Sequence, residues 1–409
     1  MSKFYPCKSI VNLSCAVLCR LVMCLALAAT PSMALAQAGQ LDTSFGNSGI
    51  FASNFINSSP VFGTSVALQS NGKIVVGGEA GNPGIVVRLN SNGTLDTSFA
   101  SGGVFSIRYR DVQNFTVGVA IQTDGKILAV GTGLPSGGQL IRLNADGSFD
   151  ASFGNGGSVG LAVTASALAL QSDGKIIVDG AIEGQLTRVL LRYTSEGQVD
   201  TSFGMSGSAP LIAGAGAIAL QSDGKILVGA GSLSRYNTDG SLDTTFGIGG
   251  QVADLAGPSA VALQSNGLIV SAGTITSSLS LSGNSTGFGL TEVFPTGFPV
   301  FLFGSHGGAI TPFPNFPSSG ASSMVIQPNQ LIVAAGTASA NATNSSFALA
   351  RYAPTGQLDN NFGAGGRVTT SFGNNTAASI SAIALQSDGK IVAVGTAGGD
   401  LVVARYLGQ

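Results

Sequence analysis

Val66-Ala67-Leu68-Gln69-Ser70-Asn71-Gly72-Lys73-Ile74-Val75-Val76 decides the fold. Two apolar, β-branched runs flank an Asn-Gly pair. This is the strongest short signal for a β-hairpin, because both central residues of the tight turn take positive φ. The runs are too short for helices and suit a pleated, half-buried surface. The phrase returns with its Gln at Gln122, Gln171, Gln221, Gln264, Gln327 and Gln386. Asp124-Gly125, Asp173-Gly174, Asp223-Gly224 and Asp388-Gly389 supply equivalent turns.

A second phrase alternates with the first. An apolar run ending in Arg leads through a Gly turn into Leu-Asp-Thr-Ser-Phe-Gly, as in Arg88 to Phe99, Arg142 to Phe153 and Arg235 to Phe246. Its Arg recurs at Arg88, Arg142, Arg192, Arg235, Arg351 and Arg405, and its Asp at Asp42, Asp96, Asp150, Asp200, Asp243 and Asp359. A third strand ends at each Arg, and a fourth is expected after each Phe-Gly-x-x-Gly. No segment sustains a helical period. Four short strands in each of seven units predict an all-β, seven-bladed β-propeller of four-stranded blades. Leu41 to Gly46 has no Arg strand before it, and Leu401 to Tyr406 has no Leu-Asp-Thr-Ser-Phe-Gly after it. The two halves complete one unit, so the ring is expected to close by pairing the N- and C-terminal segments, which removes a free sheet edge. An open solenoid would need polar capping units, and neither end reads as one.

Residues 1–36 are a different kind of sequence. Lys3, Lys8 and Arg20 precede an apolar run from Leu21 to Ala29, and small residues follow at Ala34 and Ala36. This is the pattern of a cleavable secretory signal, cut after Ala36 or Ala38, with an uncleaved anchor as the alternative. The apolar run is shorter than the roughly 20 residues a span needs. All four cysteines (Cys7, Cys15, Cys19 and Cys24) lie within residues 1–36. The exported chain, a single propeller domain over 37–409, then has neither disulfide nor thiolate chemistry. Secreted, periplasmic or cell-surface location is the expectation, with no later membrane span. Only 9% of the 409 residues are charged and the net charge is −2. With no Lys/Arg block, nucleic-acid binding is disfavoured.

The recurring Leu-Asp-Thr-Ser-Phe-Gly and Ala-Leu-Gln-Ser-Asp-Gly-Lys-Ile resemble the delta-60 repeat of exported bacterial proteins, over nearly all of 39–409. The resemblance implies a propeller-like β fold and carries no enzymatic activity with it.

Most charges belong to the repeat. Outside it stand Asp111, Asp179, Asp254, Asp400, Glu79, Glu183, Glu196 and Glu292, with Arg108, Arg110, Arg188 and Arg367. The repeated Arg and Asp read as partners, within or between blades. In the sixth copy of the phrase Arg becomes Glu292 and Asp becomes Val300, as expected if losing one partner strands the other. Each Thr-Ser-Phe-Gly Phe reads as a wedge between units.

No catalytic, cofactor or metal residue is assigned. His306 is the chain's one histidine and reads as a loop residue. Asn144 to Asp150 and Asn237 to Asp243 offer oxygens around a Gly turn, which raises a calcium-binding surface protein as an alternative. Other copies keep the turn and lose the oxygens, so turn chemistry explains more of them. The irregular unit at 276–322 carries Phe294-Pro295, Phe298-Pro299, Phe301, Phe303, Phe313-Pro314 and Phe316-Pro317. Proline there is expected to leave a looped path, and exposed Phe-Pro clusters mark contact surfaces. The expected function is a non-catalytic binding or structural module for an unknown protein or glycan, acting as a monomer. The other alternative is a carbohydrate-active lyase or hydrolase using free carboxylates at the channel mouth.

Overall fold

The computed structural model describes residues 37–409 apart from 54–59, 82, 108–112, 135–136, 186, 213–215, 254–256 and 278–284. The signal expected at 1–36, together with Arg108, Arg110, Asp111 and Asp254, lies outside the described residues.

Seven antiparallel four-stranded sheets form a closed seven-bladed β-propeller. Blade 1 is built from Val61–Leu68, Ile74–Ala80, Gly84–Leu89 and Val104–Ile107. Blade 2 uses Gln113–Ile121, Ile127–Leu134, Gly138–Leu143 and Ser158–Leu161, and blade 3 uses Val163–Leu170, Ile176–Ile182, Arg188–Tyr193 and Ser208–Pro210. Blade 4 uses Ala217–Leu220, Ile226–Gly229, Ser232–Tyr236 and Gln251–Ala253, and blade 6 uses Ser318–Ile326, Ile332–Asn341, Asn344–Tyr352 and Arg367–Thr370. Each Gln-turn joins the first two strands, each Arg lies on the third, and the fourth follows Phe-Gly-x-x-Gly as the outer edge. First strands of neighbouring blades adjoin one another and so line the centre.

Blade 7 is shared. Ala378–Leu385, Ile391–Ala397 and Asp400–Tyr406 come from the C-terminus, and Ile50–Ser53 adds the outer strand, pairing Ile50 with Ala404 and Ser53 with Leu401.

The hairpin turns differ in type from the expectation. Gly72, Gly125, Gly174, Gly224 and Gly389 have φ of +82° to +85°, while the residues before them do not reach positive φ. The Gln69 amide donates to the Lys73 carbonyl and the Gly72 amide to the Gln69 carbonyl, both at 2.9 Å. This is a three-residue loop ending in a left-handed Gly, which places the strain on the one residue that lacks a Cβ.

The irregular unit also folds as a full blade. Blade 5 comprises Pro258–Leu263, Ile269–Ser277, Ser285–Val293 and Gly308–Thr311. Pro295, Pro299, Pro312, Pro314 and Pro317 all fall between strands, so none interrupts a ladder. Phe288 and Phe313 meet edge-to-face at 4.8 Å, and Phe303 is fully buried.

Hydrophobic clusters sit between blades. One joins Ile74, Val76 and Val87 of blade 1 to Phe45, Val392, Val394 and Val403 of blade 7. The core therefore runs round the ring as a series of inter-blade layers.

Candidate functional site

The repeat spends its polar residues on holding the ring. In six blades Arg reaches the Asp eight residues on, or Asp42 in the case of Arg405, at 2.6–2.8 Å. Turn lysines join five of these carboxylates: Lys73, Lys126, Lys175, Lys225 and Lys390, at 2.7–3.4 Å. The same Arg donates a second N–H to a carbonyl of the next blade: Arg88 to Ala145, Arg142 to Ser195, Arg192 to Thr238, Arg235 to Pro295, Arg351 to Gly408 and Arg405 to Ser91. Its guanidinium lies over the buried Phe of its own phrase at 4.4–4.8 Å, a cation–π contact.

That Phe is the expected wedge. Phe99, for example, lies beside the turn glycine Gly147 of blade 2, where an added Cβ would sit 2.6 Å from the Ala100 nitrogen. The repeated Gln also ties blades together. Gln69 donates to the Gly125 carbonyl at 3.2 Å and Gln327 to the Gly408 carbonyl at 3.3 Å.

The carboxylates show the consequence. Burial alone would raise Asp42, but the Ser44 hydroxyl and amide, Arg405 and Lys390 bring it down to about 2. Asp200, bonded first by Ser202, is also lowered to about 2.

Blade 5 breaks the scheme. Its Lys, Arg and Asp positions hold Leu268, Glu292 and Val300. Glu292 is buried, its Oε1 has no hydrogen-bond partner, and burial raises its carboxyl to about 7. The carbonyl it would face across the joint, Pro354, is left with a 3.5 Å contact from Gln264.

The same region changes the outer rim. A groove of about 250 Å³ between blades 4 and 5 is lined by Val252, Ala253, Thr291, Glu292, Val293, Pro299, Phe301, His306 and Gly307. Val293 helps to make this space. At that position blades 4, 6 and 7 carry Tyr236, Tyr352 and Tyr406, whose hydroxyls bond into the preceding blade. A second groove of about 450 Å³, between blades 3 and 4, is lined by Met205, Pro210, Ile212, Tyr236, Asp239 and Leu242 among others. Along this rim Met205, Ile248, Phe301 and Leu302 are 75–91% exposed, with Phe294 and Phe298 about half exposed. Water thus meets a run of large apolar side chains on three consecutive blades.

Among the described residues, those outside the repeat do not gather into one site. Asp179 and Arg188 pair with each other at 3.0 Å, with Asp179 fully buried. Glu79, Glu183 and Asp400 belong to blades 1, 3 and 7, and Glu196 to a turn of blade 3. His306 sits exposed in the left-handed region at φ +58°, next to the Ser305 hydroxyl. Glu292 and His306 are brought to one groove, a juxtaposition hidden from sequence because it needs the outer turn to fold back on the third strand. In the calcium candidates, Asp146 and Asp239 each spend Oδ1 on the amide and hydroxyl two residues on, Ser148 and Ser241. Among the described residues no three of His, Cys, Asp and Glu cluster as a metal site, and no helix is long and apolar enough to cross a membrane.

Six stretches match a family model described as a domain of unknown function (DUF5122) beta-propeller: 69–99, 122–153, 171–203, 221–246, 327–362 and 386–408. The matched repeats are similar to those of a β-propeller repeat family. The longest interval between matches, 247–326, contains the whole of the divergent fifth blade. No curated protein matches the chain. Among solved structures, virginiamycin B lyase from Staphylococcus aureus is similar with a TM-score of 0.53 and 11% identity, covering 88% of this chain and 99% of that one. A catalytically inactive variant of that lyase with quinupristin gives 0.53 and 12%, with the same coverage. BamB from Moraxella catarrhalis gives 0.43 and 14%, over 84% and 95%. At 11–12% identity the likeness to the lyase is one of fold.

Proposed function

We propose that the protein is an exported, non-catalytic binding propeller, built of delta-60-type repeats, that engages a protein or glycan partner through the outer rim of blades 3–5. The observation that carries this reading is the contrast around the ring. Six blades commit their repeated charges to sealing joints, while the rim from Met205 to Leu302 exposes large apolar side chains. Exposed apolar clusters of this kind mark contact surfaces, and rigid blades present them without an ordering cost. The leader-like sequence at 1–36 supports export. The test is capture of envelope proteins and an array of envelope glycans by residues 37–409. Capture by the parent chain that disappears in Met205→Ser/Ile248→Ser/Phe301→Ser supports the reading; equal capture by both contradicts it.

Glu292 and His306 lining one groove favour a second reading, an enzyme with Glu292 as proton donor. Its test is hydrolysis or elimination on a panel of envelope polysaccharides. Activity abolished by Glu292→Gln supports it, and inactivity across the panel removes it.

A further inference from the structure

The two grooves flank a single blade. Blade 4 contributes Tyr236, Asp239 and Leu242 to one and Val252 and Ala253 to the other, and Ile248 lies between these segments in sequence. The repeat places the grooves in equivalent positions, one at each side of blade 4. A ligand that fills both must therefore present two apolar groups one blade apart.

The lining says which ligand. Valine, isoleucine, leucine, methionine and proline supply seven of the nineteen lining residues, with aromatic faces from Phe301 and Tyr236. A glycan needs several free hydrogen-bonding groups at each ring, and here the hydroxyls of Ser202, Ser241 and Tyr236 are already bonded to Asp200, Asp239 and the Ile212 amide. Of the two carboxyls lining the grooves, Asp239 is held below its ordinary range by the Ser241 hydroxyl and amide, while burial raises Glu292 to about 7, and neither groove is lined by Lys or Arg. Each groove is walled in part by the outer strand of the preceding blade, at Pro210 and at Val252-Ala253, and these strands are the edges of their sheets. An edge suits an extended main chain.

We propose that the paired grooves beside blade 4 form a docking site for an extended peptide segment of a partner protein, carrying two large apolar side chains flanked by basic residues. This rests on the binding reading above and specifies its partner. One apolar side chain enters the groove between Met205 and Leu242, and the other the groove between Val252 and Phe301. The basic residues lie toward Asp239 and Glu292.

The test is fluorescence anisotropy with synthetic peptides of the form Lys-Phe-(Gly-Ser)n-Phe-Lys, with one to four Gly-Ser pairs, titrated with residues 37–409. Affinity should peak at one spacer length. Replacing either peptide Phe by Ala should cost about tenfold or more, the scale of one buried aromatic side chain. Replacing the peptide lysines by Glu should weaken binding further, and added salt should weaken the basic peptide. Met205→Ser and Phe301→Ser, both at exposed positions whose change leaves the core intact, should each cost about tenfold. Binding that ignores spacer length, or that single-Phe peptides match, overturns the proposal. So does affinity unchanged in both variants. If all peptides fail while Met205→Ser/Ile248→Ser/Phe301→Ser still abolishes capture of an envelope protein or glycan, the peptide inference falls and the rim reading stands. If that variant captures normally, the rim reading falls as well.

Discussion

Arg405 Nε donates to Asp42 Oδ2 at 2.9 Å, joining residues 363 positions apart in the chain. The pair is the ring-closing copy of a contact that five other blades make over eight residues. Asp42→Ala leaves the Arg405 guanidinium buried beside Lys390 with no carboxylate between them. Breaking a buried pair from one side costs about 3–5 kcal/mol. Urea unfolding of residues 37–409 should show that loss. Arg405→Ala should cost less, because Asp42 keeps Lys390 and Ser44. A cost below about 1 kcal/mol for Asp42→Ala, the range of a surface pair, would place the contact outside the structural frame.

The ring should weaken in acid over a defined window. Asp42 and Asp200 are held at about 2, and Asp96, Asp150 and Asp243 lie lower still, all below the free value of 3.8. A carboxylate depressed by folding stabilises above its free value and loses that contribution as pH falls through the folded one. Melting temperature should be flat above about pH 5 on account of these groups and fall steeply between about pH 4 and 2. A flat profile through that window would contradict the locks.

Much of this was legible in the sequence. The propeller, the shared last blade and the Arg–Asp partnership follow from phrases repeated in order, since a tandem unit must solve the same packing problem each time. Two things were not. The second Arg bond, to a carbonyl of the next blade, involves backbone that carries no residue signature: Ala145, Ser195, Thr238, Pro295, Gly408 and Ser91 share no chemistry. The grooves beside blade 4 were equally hidden. The one between blades 4 and 5 depends on a small side chain at Val293 and on an outer turn that brings His306 and Glu292 to one space. The Phe-Pro segment reads as a surface from sequence, and the structure divides it. Phe303 and Phe313 are buried, while Phe298 and Phe301 are exposed.

Glu292 gives the opposite pH response from the locks. Its folded value, about 7, lies above the free 4.5 through burial. The folded state therefore holds the proton more tightly, a contribution fully present below about pH 4.5 and lost as pH rises through 7. Glu292→Gln should match the parent near pH 4.5 and exceed it in melting temperature at pH 8. A constant difference across that range would mean that the carboxyl is solvated.

The joint between blades 5 and 6 can be given the common lock. Glu292→Arg with Val300→Asp restores the missing pair over Phe303. The double variant should be more stable than the sum of the singles by about 1–3 kcal/mol, the coupling expected of contacting residues. Additive behaviour would show that the slot no longer accepts a guanidinium.

Closure can be read by one covalent test. Ala52 and Val402 are direct partners across the seam, and opposed antiparallel residues lie within disulfide reach. The chain from 37 onward has no cysteine of its own. In Ala52→Cys/Val402→Cys, mild oxidation followed by mass spectrometry should give a monomer lacking two hydrogens, with a raised melting temperature. Two free thiols, or disulfide-linked dimers in place of that monomer, would contradict a ring sealed by its own ends.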